Sequence, residues 1–447
     1  MIDWIHKRLE EFKQDEALIN DNKSYCYNDL IIGMDKWISK LKNDSIHPKD
    51  VVALFGDFNV EMLFALLALI SNENIVVPIA QEKADNLDNM LKVARAQKLY
   101  IFDRDKIKLV ELPVYSTHPL LEKLRNENDA GIMIFTSGST GEGKCALHRF
   151  SSLTYKVKGE VNRRALRTII FLKMDHIGGI NTIFSILFQG GTMVLIKERT
   201  VKNVCKTIER NNVQLLPTTP SFINMMIISD ACKNYDLSSL ILITYGTEVM
   251  PETTISAINR ELPNVKLRQT YGLTEMGIFP TKSKDNSSIL MKVGDSKVKT
   301  KIVDNILYIK SPYAMMGYLN APLPYDSDGW YNTGDEVKVC GEYLKILGRK
   351  EEIINVGGEK VFPSEIESIL LRAPNVKDVV VYGKKSPITG NIVVADFCLI
   401  EKEDEKEFKK KIVQYAKQYL EDYKIPRIIF ISEESFIGVN LKKKKFL

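Results

Sequence analysis

The sequence predicts an α/β fold, with a large N-terminal domain of stacked α/β layers, a small β-barrel-like part and a small α+β domain at the C-terminus. In residues 51–79 an apolar strand-like run, a helical stretch and a second apolar run follow one another, which is typical of a βαβ unit. After Asn286, short alternating runs separated by Gly, Asp and Pro indicate antiparallel strands. A length of 447 residues also favours several domains, at roughly 100–200 residues each.

Strand and helix patterns alternate through the first part of the chain. Further strand-like runs lie at 98–102, 168–172, 192–196, 213–216 and 240–244, with helical patterns between them. In the antiparallel part we expect strands at 299–303, 306–310, 336–339 and 343–347. We therefore expect an N-terminal domain at residues 1–348, of which 286–348 is the antiparallel part.

Residues 349–447 are expected to form the separate α+β domain. Ser364 and Glu367 have the spacing of a capping box, which predicts a helix start there. A second helix is predicted from an apolar stripe that includes Phe408, Ile412 and Ala416 at helical spacing.

Composition excludes several classes of protein. Lys plus Arg number 62 and Asp plus Glu 57, and the run 442–445 alone matches most of this excess, so we expect no nucleic-acid partner. The longest apolar run, 62–70, is too short to span a membrane, and the N-terminus lacks the pattern of a signal peptide. We expect a soluble, cytoplasmic protein without a membrane span.

Cysteine and histidine usage argues against zinc. The six cysteines include no CxxC pair, and none of the five histidines is paired at i, i+4. A metal, if used, is expected to be a hard cation held by carboxylate and phosphate oxygens.

The strongest local motif is TSGSTGEGK at 136–144, an apolar strand that runs into a loop of hydroxyls and glycines closed by Lys144. Such a loop can wrap phosphates, because its backbone N–H groups and hydroxyls donate hydrogen bonds and the lysine adds positive charge. Its spacing matches most of a Walker A motif, but Cys145 stands where a Ser or Thr would bind magnesium. The P-loop interpretation is therefore disfavoured.

Three further motifs follow in order: YGLTE at 271–275, YNTGD at 331–335 and a composite segment at 348–367. With the phosphate loop, they resemble the superfamily of adenylate-forming enzymes, which includes acyl- and aryl-CoA ligases, peptide-synthetase adenylation domains and firefly luciferase. The resemblance covers nearly the whole chain, and four motifs in one order make it specific.

The resemblance implies an ATP site. The implied ATP-binding residues are Thr136, Ser137, Gly138, Ser139, Thr140, Lys144, Gly246, Thr247, Tyr271, Gly272, Thr274, Asp335 and Arg349. Within this set Tyr271 would stack on adenine, Asp335 would take the ribose hydroxyls with Arg349 as a second contact, and Thr274 would bind phosphate. Glu275 would coordinate magnesium.

The resemblance also implies an acid pocket near His176 and Gly178, with Tyr245 narrowing it. Amino-acid-activating members commonly carry Asp where His176 aligns, and Asp175 is one position away. This favours an uncharged acyl or aryl acid, while an amino acid stays open.

The end of the chain is implied to supply a catalytic lysine, Lys442, with Lys443 as its rival. Lys350 aligns with a hinge about which residues 349–447 rotate as a mobile lid. Gly357 and Gly358 would then face the thiol channel.

The implied reaction is attack of a carboxylate on the α-phosphorus of ATP, with release of pyrophosphate, followed by transfer of the acyl group to a pantetheine thiol. CoA is the expected acceptor, and the phosphopantetheine of an acyl carrier protein is the alternative. A nucleotide-binding protein without catalysis is the third hypothesis.

Overall fold

The structure is a computed structural model that describes residues 3–104, 106–136, 143–155, 157, 165–386, 390–433 and 436. Within these ranges the strands form five sheets: two of seven strands, one of six, one of five and one of two. The two seven-stranded sheets form the layers of the large α/β part.

The first of these sheets is built mainly from the beginning of the chain. The helices here are α1 (Asp3–Glu10), α2 (Tyr27–Asn43), α3 (Val60–Ser71), α4 (Leu87–Ala94), α5 (Pro119–Arg125) and α6 (Phe150–Thr154). The strands of this sheet from the beginning of the chain are β3 (Val51–Gly56), β4 (Ile75–Ile79), β5 (Lys98–Asp103), β6 (Lys106–Glu111), β7 (Gly131–Thr136) and β8 (Lys144–Arg149). Two earlier strands, β1 (Glu16–Asn20) and β2 (Lys23–Cys26), belong to the second sheet. Strands β7, β4, β3 and β5 pair in parallel, and β6 and β8 join antiparallel. The predicted βαβ unit is thus confirmed as β3, α3 and β4.

The second sheet comes largely from residues 165–280. Its helices are α7 (Ile177–Leu187), α8 (Val201–Asn211), α9 (Pro220–Ile228), α10 (Ala231–Asn234) and α11 (Glu252–Glu261). The strands are β9 (Arg167–Ile169), β10 (Thr192–Val194), β11 (Leu215–Thr218), β12 (Leu242–Tyr245), β13 (Lys266–Gln269), β14 (Gly272–Leu273) and β15 (Gly277–Ile278). The order is β13-β12-β11-β9-β10-β1-β2, and β14 pairs with β15 alone in a short hairpin.

Residues 281–349 form the predicted antiparallel sheet. Its strands are β16 (Thr281–Ser283), β17 (Met291–Val293), β18 (Lys299–Val303), β19 (Ile306–Lys310), β20 (Gly317–Tyr318), β21 (Tyr331–Cys340) and β22 (Tyr343–Arg349). The order is β16-β17-β22-β21-β19-β18, and β20 leaves this sheet to pair with β8. That excursion of β20 brings the antiparallel part against the strand that follows the phosphate loop.

The last part of the chain has its own sheet and core. Its elements are β23 (Ile354–Val356), β24 (Glu359–Val361), α12 (Pro363–Leu370), β25 (Val376–Ser386), β26 (Gly390–Leu399), α13 (Glu405–Tyr419) and β27 (Ile428–Ile431). Phe408, Ile412 and Ala416 of α13 are buried, as the apolar stripe predicts.

The predicted capping box at the start of α12 is wrong. The N-cap is Phe362, with Pro363 at the first helical position. Ser364 instead donates a hydrogen bond from its hydroxyl to the carbonyl of Leu347, at 2.8 Å, and Glu367 accepts one from the backbone N–H of Val381. Tertiary hydrogen bonds therefore occupy both side chains that the local pattern assigned to the cap.

The main core lies between the two seven-stranded sheets. Helix α3 is buried along almost its whole length and packs there with residues of α2 and α7. A second core lies on the other face of the β9–β13 region, and the C-terminal sheet has its own. This packing confirms the predicted stacked α/β layers. Across the described ranges, none of the helices combines the length and the apolarity that crossing a bilayer needs.

Candidate active site

The phosphate loop begins and ends on neighbouring strands. Thr136 closes β7 and lies opposite Lys144, the first residue of β8. The intervening Ser137, Gly138, Ser139 and Thr140 lie outside the described residues. A hairpin connection between antiparallel strands brings both ends of the loop to one edge of the sheet.

Lys144 and the carboxylate predicted to bind magnesium both contact Tyr318. Its ammonium nitrogen is 5.5 Å from the centre of the Tyr318 ring, and the Tyr318 hydroxyl donates a hydrogen bond to Oε1 of Glu275. Tyr318 is 6 % exposed, whereas Lys144 is exposed to solvent. We call Lys144, Tyr318 and Glu275 the phosphate end of the site.

A short hairpin presents Thr274 and Glu275. Strands β14 and β15 pair on either side of them, and the N–H of Met276 donates to the carbonyl of Leu273. The carbonyl of Glu275 accepts hydrogen bonds from the N–H of Met315, at 2.8 Å, and from the Tyr325 hydroxyl, at 3.1 Å. The backbone of the hairpin tip is therefore fixed before any ligand binds.

Tyr271, Asp335 and Arg349 form the second half of the site, the ribose end. The Tyr271 hydroxyl donates to Oδ2 of Asp335, and Nε of Arg349 lies 3.5 Å from Oδ1. Asp335 and Arg349 are cross-strand partners on β21 and β22. Asp335 is only 6 % exposed, so its charge is stabilised by these two donors.

The phenol of Tyr271 stays protonated at neutral pH. Burial, followed by the adjacent charge of Asp335, raises the pKa of Tyr271 well above its ordinary value. The ring also stacks on Phe279, with ring centres 6.1 Å apart. Tyr271 is thus held as a hydrogen-bond donor at the ribose end, and one of its faces is already in contact with an aromatic ring.

The turn after β12 approaches the same hairpin. A Cβ on Gly246 would lie 2.5 Å from the Thr270 hydroxyl, so only glycine fits beside Thr270. Thr247 follows in a left-handed conformation, with φ of 73°. Tyr245 is 1 % exposed and belongs to the core around β12. Its predicted effect on the acid pocket stays a prediction.

A cavity lies next to the hairpin that carries Glu275. The residues around it come from α6 and the residue after it, the first turns of α7, the β15 region and the segment after β19, and they include Tyr155, Ile177, Asn181, Met276, Ile278 and Tyr313. Ile177 directly follows His176, and Met276 directly follows Glu275. The cavity is therefore lined by chain neighbours of the predicted acid-binding residue and of the predicted metal ligand.

His176 is the N-cap residue of α7, and Gly178 and Gly179 lie in the first helical turn. A Cβ on Gly179 would lie 1.9 Å from the carbonyl of Lys173, so a side chain cannot be placed there. His176 is partly exposed, and its Nε2 lies 3.8 Å from Oδ1 of Asp175.

Asp175 is committed to an internal ion pair. Its carboxylate is almost completely buried, and Oδ2 lies 2.6 Å from the ammonium of Lys83. Burial opposes ionisation, but the charges of His176 and Lys83 outweigh it and hold the pKa of Asp175 below its ordinary value. Asp175 is thus charged and already paired with a cation.

The predicted hinge lies directly after the antiparallel sheet. Arg349 ends β22, and Lys350 begins a 3₁₀ turn that spans Lys350–Glu352. Gly357 and Gly358 lie in the turn between β23 and β24, are exposed, and would meet nothing within 4 Å if they carried a Cβ. Lys442 and Lys443 lie outside the described residues.

The sequence analysis missed three contributors. Tyr318, Tyr325 and Lys83 each contact a predicted site residue from a distant segment of the chain. None of these three residues belongs to a motif that is specific by itself. Tyr318 could have been found only by predicting that β20 pairs with β8.

The donor set suits a magnesium ion that is shared with a substrate. Across the described residues, no group of three or more His, Cys, Asp or Glu side chains could hold a metal ion. Glu275 offers a single hard carboxylate beside Lys144, and Mg²⁺ typically binds through one or two carboxylates plus phosphates and water. The residues present therefore fit Mg²⁺ bound jointly by Glu275 and nucleotide phosphates.

Comparison with known proteins identifies the family. The model of the AMP-binding enzyme family matches residues 5–319, and that of the AMP-binding enzyme C-terminal domain matches residues 365–435. The indoleacetate–CoA ligase of Aromatoleum aromaticum is 30% identical, over 96% of this chain and 94% of its own. The 4-coumarate:CoA ligase 1 of Petunia hybrida is 26% identical, over 96% and 90%.

Solved structures share the fold. An anthranilate CoA ligase in complex with anthranoyl-AMP superposes with a TM-score of 0.83 at 20% identity, covering 99% of this chain and 94% of that one. The o-succinylbenzoate coenzyme A synthetase of Bacillus subtilis, in complex with ATP and magnesium ion, gives 0.76 at 21% identity, covering 96% and 95%. These matches confirm the predicted fold class.

Proposed function

The chain belongs to the AMP-binding enzyme family, and from this premise we propose that it is an AMP-forming acid–thiol ligase. In the first half-reaction a carboxylate oxygen bonds to the α-phosphorus of ATP, and the bond to the bridging oxygen breaks, which releases pyrophosphate. In the second, a thiol sulfur bonds to the acyl carbon and AMP leaves. The acceptor we propose is CoA.

The observation that carries this proposal is the hairpin segment 271–275. At one end Tyr271 donates to Asp335, and at the other Glu275 accepts a hydrogen bond from Tyr318 and precedes Met276, which lines the cavity. A nucleotide along this segment would place its ribose at Asp335 and its phosphates near Lys144 and Glu275. The acid in the cavity would then approach the α-phosphate.

Charge explains why these residue types are needed. The carboxylate and the triphosphate are both anions, so their approach needs cations and hydrogen-bond donors that are fixed in advance. Lys144 would offset charge on the phosphates, and Thr136 and Thr274 would donate hydrogen bonds to them from their hydroxyls. Magnesium held by Glu275 would polarise the phosphoryl oxygens.

The proposed acid is an uncharged acyl or aryl acid. The cavity beside the hairpin is lined largely by apolar and aromatic side chains, with Ser152, Asn181 and Ser311 as polar groups, and its volume of about 10 Å³ would have to widen to admit an acid. Asp175 cannot readily receive a substrate ammonium, because Lys83 already pairs with it in a buried setting. The names of the relatives, an indoleacetate and a coumarate ligase, agree with an aryl acid.

We further propose that residues 1–348 and 349–447 act as two domains that move about Lys350. The exposed turn at Gly357 and Gly358 would enter the thiol channel in one pose, and Lys442 would reach the α-phosphate in the other. One site could then perform both half-reactions in turn. Such an enzyme would work in the cytoplasm, where ATP and CoA are available.

The test is ATP–pyrophosphate exchange with a panel of carboxylic acids that includes arylacetates, cinnamates, o-succinylbenzoate, anthranilate, fatty acids and amino acids. Acids that support exchange are then supplied with CoA or with a phosphopantetheinyl carrier protein. The Asp335→Asn variant is the matched control for nucleotide-dependent exchange. We expect exchange with an aryl or acyl acid and thioester formation with CoA.

Two results would change this proposal. Thioester on the carrier protein but not on CoA would assign the carrier-loading function instead. Absence of exchange with every acid, from protein that still binds ATP, would favour the nucleotide-binding protein without catalysis.

A further inference from the structure

Tyr318 contacts both charged residues of the phosphate end. Its hydroxyl donates to Oε1 of Glu275, and its ring lies under the ammonium of Lys144 at 5.5 Å. The side chain is nearly buried, so neither contact is easily replaced by water. No motif of the sequence analysis included this residue.

The two charges that Tyr318 contacts would otherwise attract each other. A lysine and a glutamate whose side chains can reach within about 4 Å of each other are able to form an ion pair. Such a pair would turn the ammonium away from the phosphates and would occupy the carboxylate oxygens that a magnesium ion needs. The proposed reaction requires both groups to face the nucleotide.

We propose that Tyr318 is a positioning residue that keeps Lys144 and Glu275 apart and directs each toward the nucleotide. The hydroxyl fixes the carboxylate by a hydrogen bond to one oxygen, and the ring supports the ammonium by a cation–π contact. This inference rests on the proposed function, because it concerns the same nucleotide site.

The fold holds Tyr318 in this place. Strand β20 consists only of Gly317 and Tyr318, and it pairs antiparallel with β8 so that Tyr318 lies opposite Ala146. Ala146 is two residues from Lys144, and alternate residues of a strand share one face. The ladder therefore sets the distance between ring and lysine.

Two other tyrosines also contact Glu275. Tyr331 shares a side-chain hydrogen bond with Glu275, and the Tyr325 hydroxyl donates to the Glu275 backbone carbonyl. Tyr318 is the residue that reaches both the carboxylate and the lysine.

The experiment compares Tyr318→Phe, which keeps the ring, with Tyr318→Leu, which removes it. Tyr308→Phe, on β19, is the matched control, because its hydroxyl contacts only the amide of Asn332 among the described side chains. Binding of ATP is measured by calorimetry with Mg²⁺ and with EDTA. Mn²⁺ binding in the presence of ATP is measured by electron paramagnetic resonance.

We expect Tyr318→Phe to weaken binding of Mg²⁺–ATP and of Mn²⁺ about tenfold, while metal-free ATP binding changes less than about twofold. Tyr318→Leu should weaken binding of metal-free ATP as well, by about three- to tenfold, since the lysine loses its support. Tyr308→Phe should match the wild type in both measurements.

A double variant separates positioning from general structure. In protein that already carries Glu275→Gln, adding Tyr318→Phe should weaken Mn²⁺ binding by less than about a further twofold. The reason is that Glu275→Gln has already weakened the hydrogen bond from the Tyr318 hydroxyl. The inference would be overturned if Tyr318→Phe weakened Mn²⁺ binding equally with and without Glu275→Gln. It would also be overturned if the Tyr318→Phe protein bound Mg²⁺–ATP like the wild type.

The result also distinguishes the two proposals. If the wild type binds no Mg²⁺–ATP, the proposed function fails and the positioning role fails with it. If the wild type binds and exchanges pyrophosphate but Tyr318→Phe and Tyr318→Leu do the same, only the positioning role fails. Loss of folding in the Leu variant would leave the Phe variant and the double variant to decide.

Discussion

The two ends of the nucleotide site are built differently. At the ribose end Asp335 is nearly buried, is bonded by Tyr271 and faces Arg349 across a strand pair. At the phosphate end Glu275 lies on a hairpin tip, and Tyr318 reaches its carboxylate from a separate two-residue strand.

The two ends differ in what holds their charged side chains in position before the ligand binds. The ribose end is fixed by the register of one sheet, so its carboxylate needs no movement to accept hydroxyls. The phosphate end must present a carboxylate and a lysine of opposite charge without letting them pair. We therefore expect changes at the phosphate end to affect catalysis, and changes at the ribose end to affect mainly nucleotide affinity.

The sharpest test of this comparison is Glu275→Gln. Without the charge that holds magnesium, the rate of pyrophosphate exchange should fall by about 10²–10³-fold at saturating ATP. Glu342→Gln is the control, because Glu342 lies on the surface and contacts Lys292. A Glu275→Gln variant with normal exchange at low Mg²⁺ would assign the metal to other ligands.

The predicted catalytic lysine, Lys442, is proposed to act at the same end. Lys442→Ala should slow adenylate formation by at least about a hundredfold, because the α-phosphate loses a cation that stabilises the transition state. Thioester formation from a supplied acyl-adenylate should be nearly unchanged, and Lys443→Ala should have little effect. If the two variants exchange phenotypes, the catalytic lysine is Lys443.

Lys350→Pro tests whether the two ends are completed by a moving domain. Arg349 has φ of −83° and ψ of 140°, and this extended conformation is allowed for a residue that precedes a proline. Lys350 begins a 3₁₀ turn, in which φ is near the value that a proline ring imposes. The variant should therefore keep the present pose. If that pose is the adenylating one, thiol transfer should fall more than about tenfold while pyrophosphate exchange survives. Equal effects on both half-reactions would remove Lys350 from the role of hinge.

Asp335→Asn addresses the ribose end and should have a smaller, different effect. We expect KM for ATP to rise about tenfold with kcat changed little, because a charged acceptor of two hydroxyls becomes a neutral one. Preference for ATP over 2′-deoxy-ATP should also decrease. Asp304→Asn, an exposed turn residue with φ of 51°, is the control. A large loss of kcat would contradict the proposed division between the two ends.

The sequence predicted the ribose end more completely than the phosphate end. The family resemblance implied a shared role for Asp335 and Arg349, and the structure pairs the two residues across β21 and β22. Tyr318 could not be found in this way, because its contact depends on the pairing of β20 with β8, far apart in the chain. The βαβ unit and the antiparallel strands were predicted from the spacing of apolar residues along the chain, and the structure contains both.

Tertiary contacts that the sequence does not show decided one prediction and bear on another. The capping box at Ser364 is absent because that hydroxyl donates to the carbonyl of Leu347. The sequence favoured an uncharged acid and left an amino acid open, since no pattern shows that Lys83 pairs with Asp175. In both cases a residue from a distant segment takes the hydrogen bond or charge that the local sequence offers.

Cys145→Ala should have the smallest effect, and it tests the phosphate end against the Walker A interpretation. The thiol is fully buried, and Sγ lies 3.6 Å from Sδ of Met133, on the core side of β8. Burial also raises the pKa of Cys145, so the thiol is neutral.

Because successive residues of a strand face opposite sides, Lys144 and Cys145 cannot both face the nucleotide. We expect pyrophosphate exchange within about twofold of the wild type and a stability loss of about 1 kcal/mol from the small cavity, measured by urea unfolding. Cys145→Ser separates the two interpretations further. A hydroxyl there should destabilise the core without improving Mg²⁺ dependence, whereas a true P-loop would bind Mg²⁺–ATP more tightly when the serine is restored.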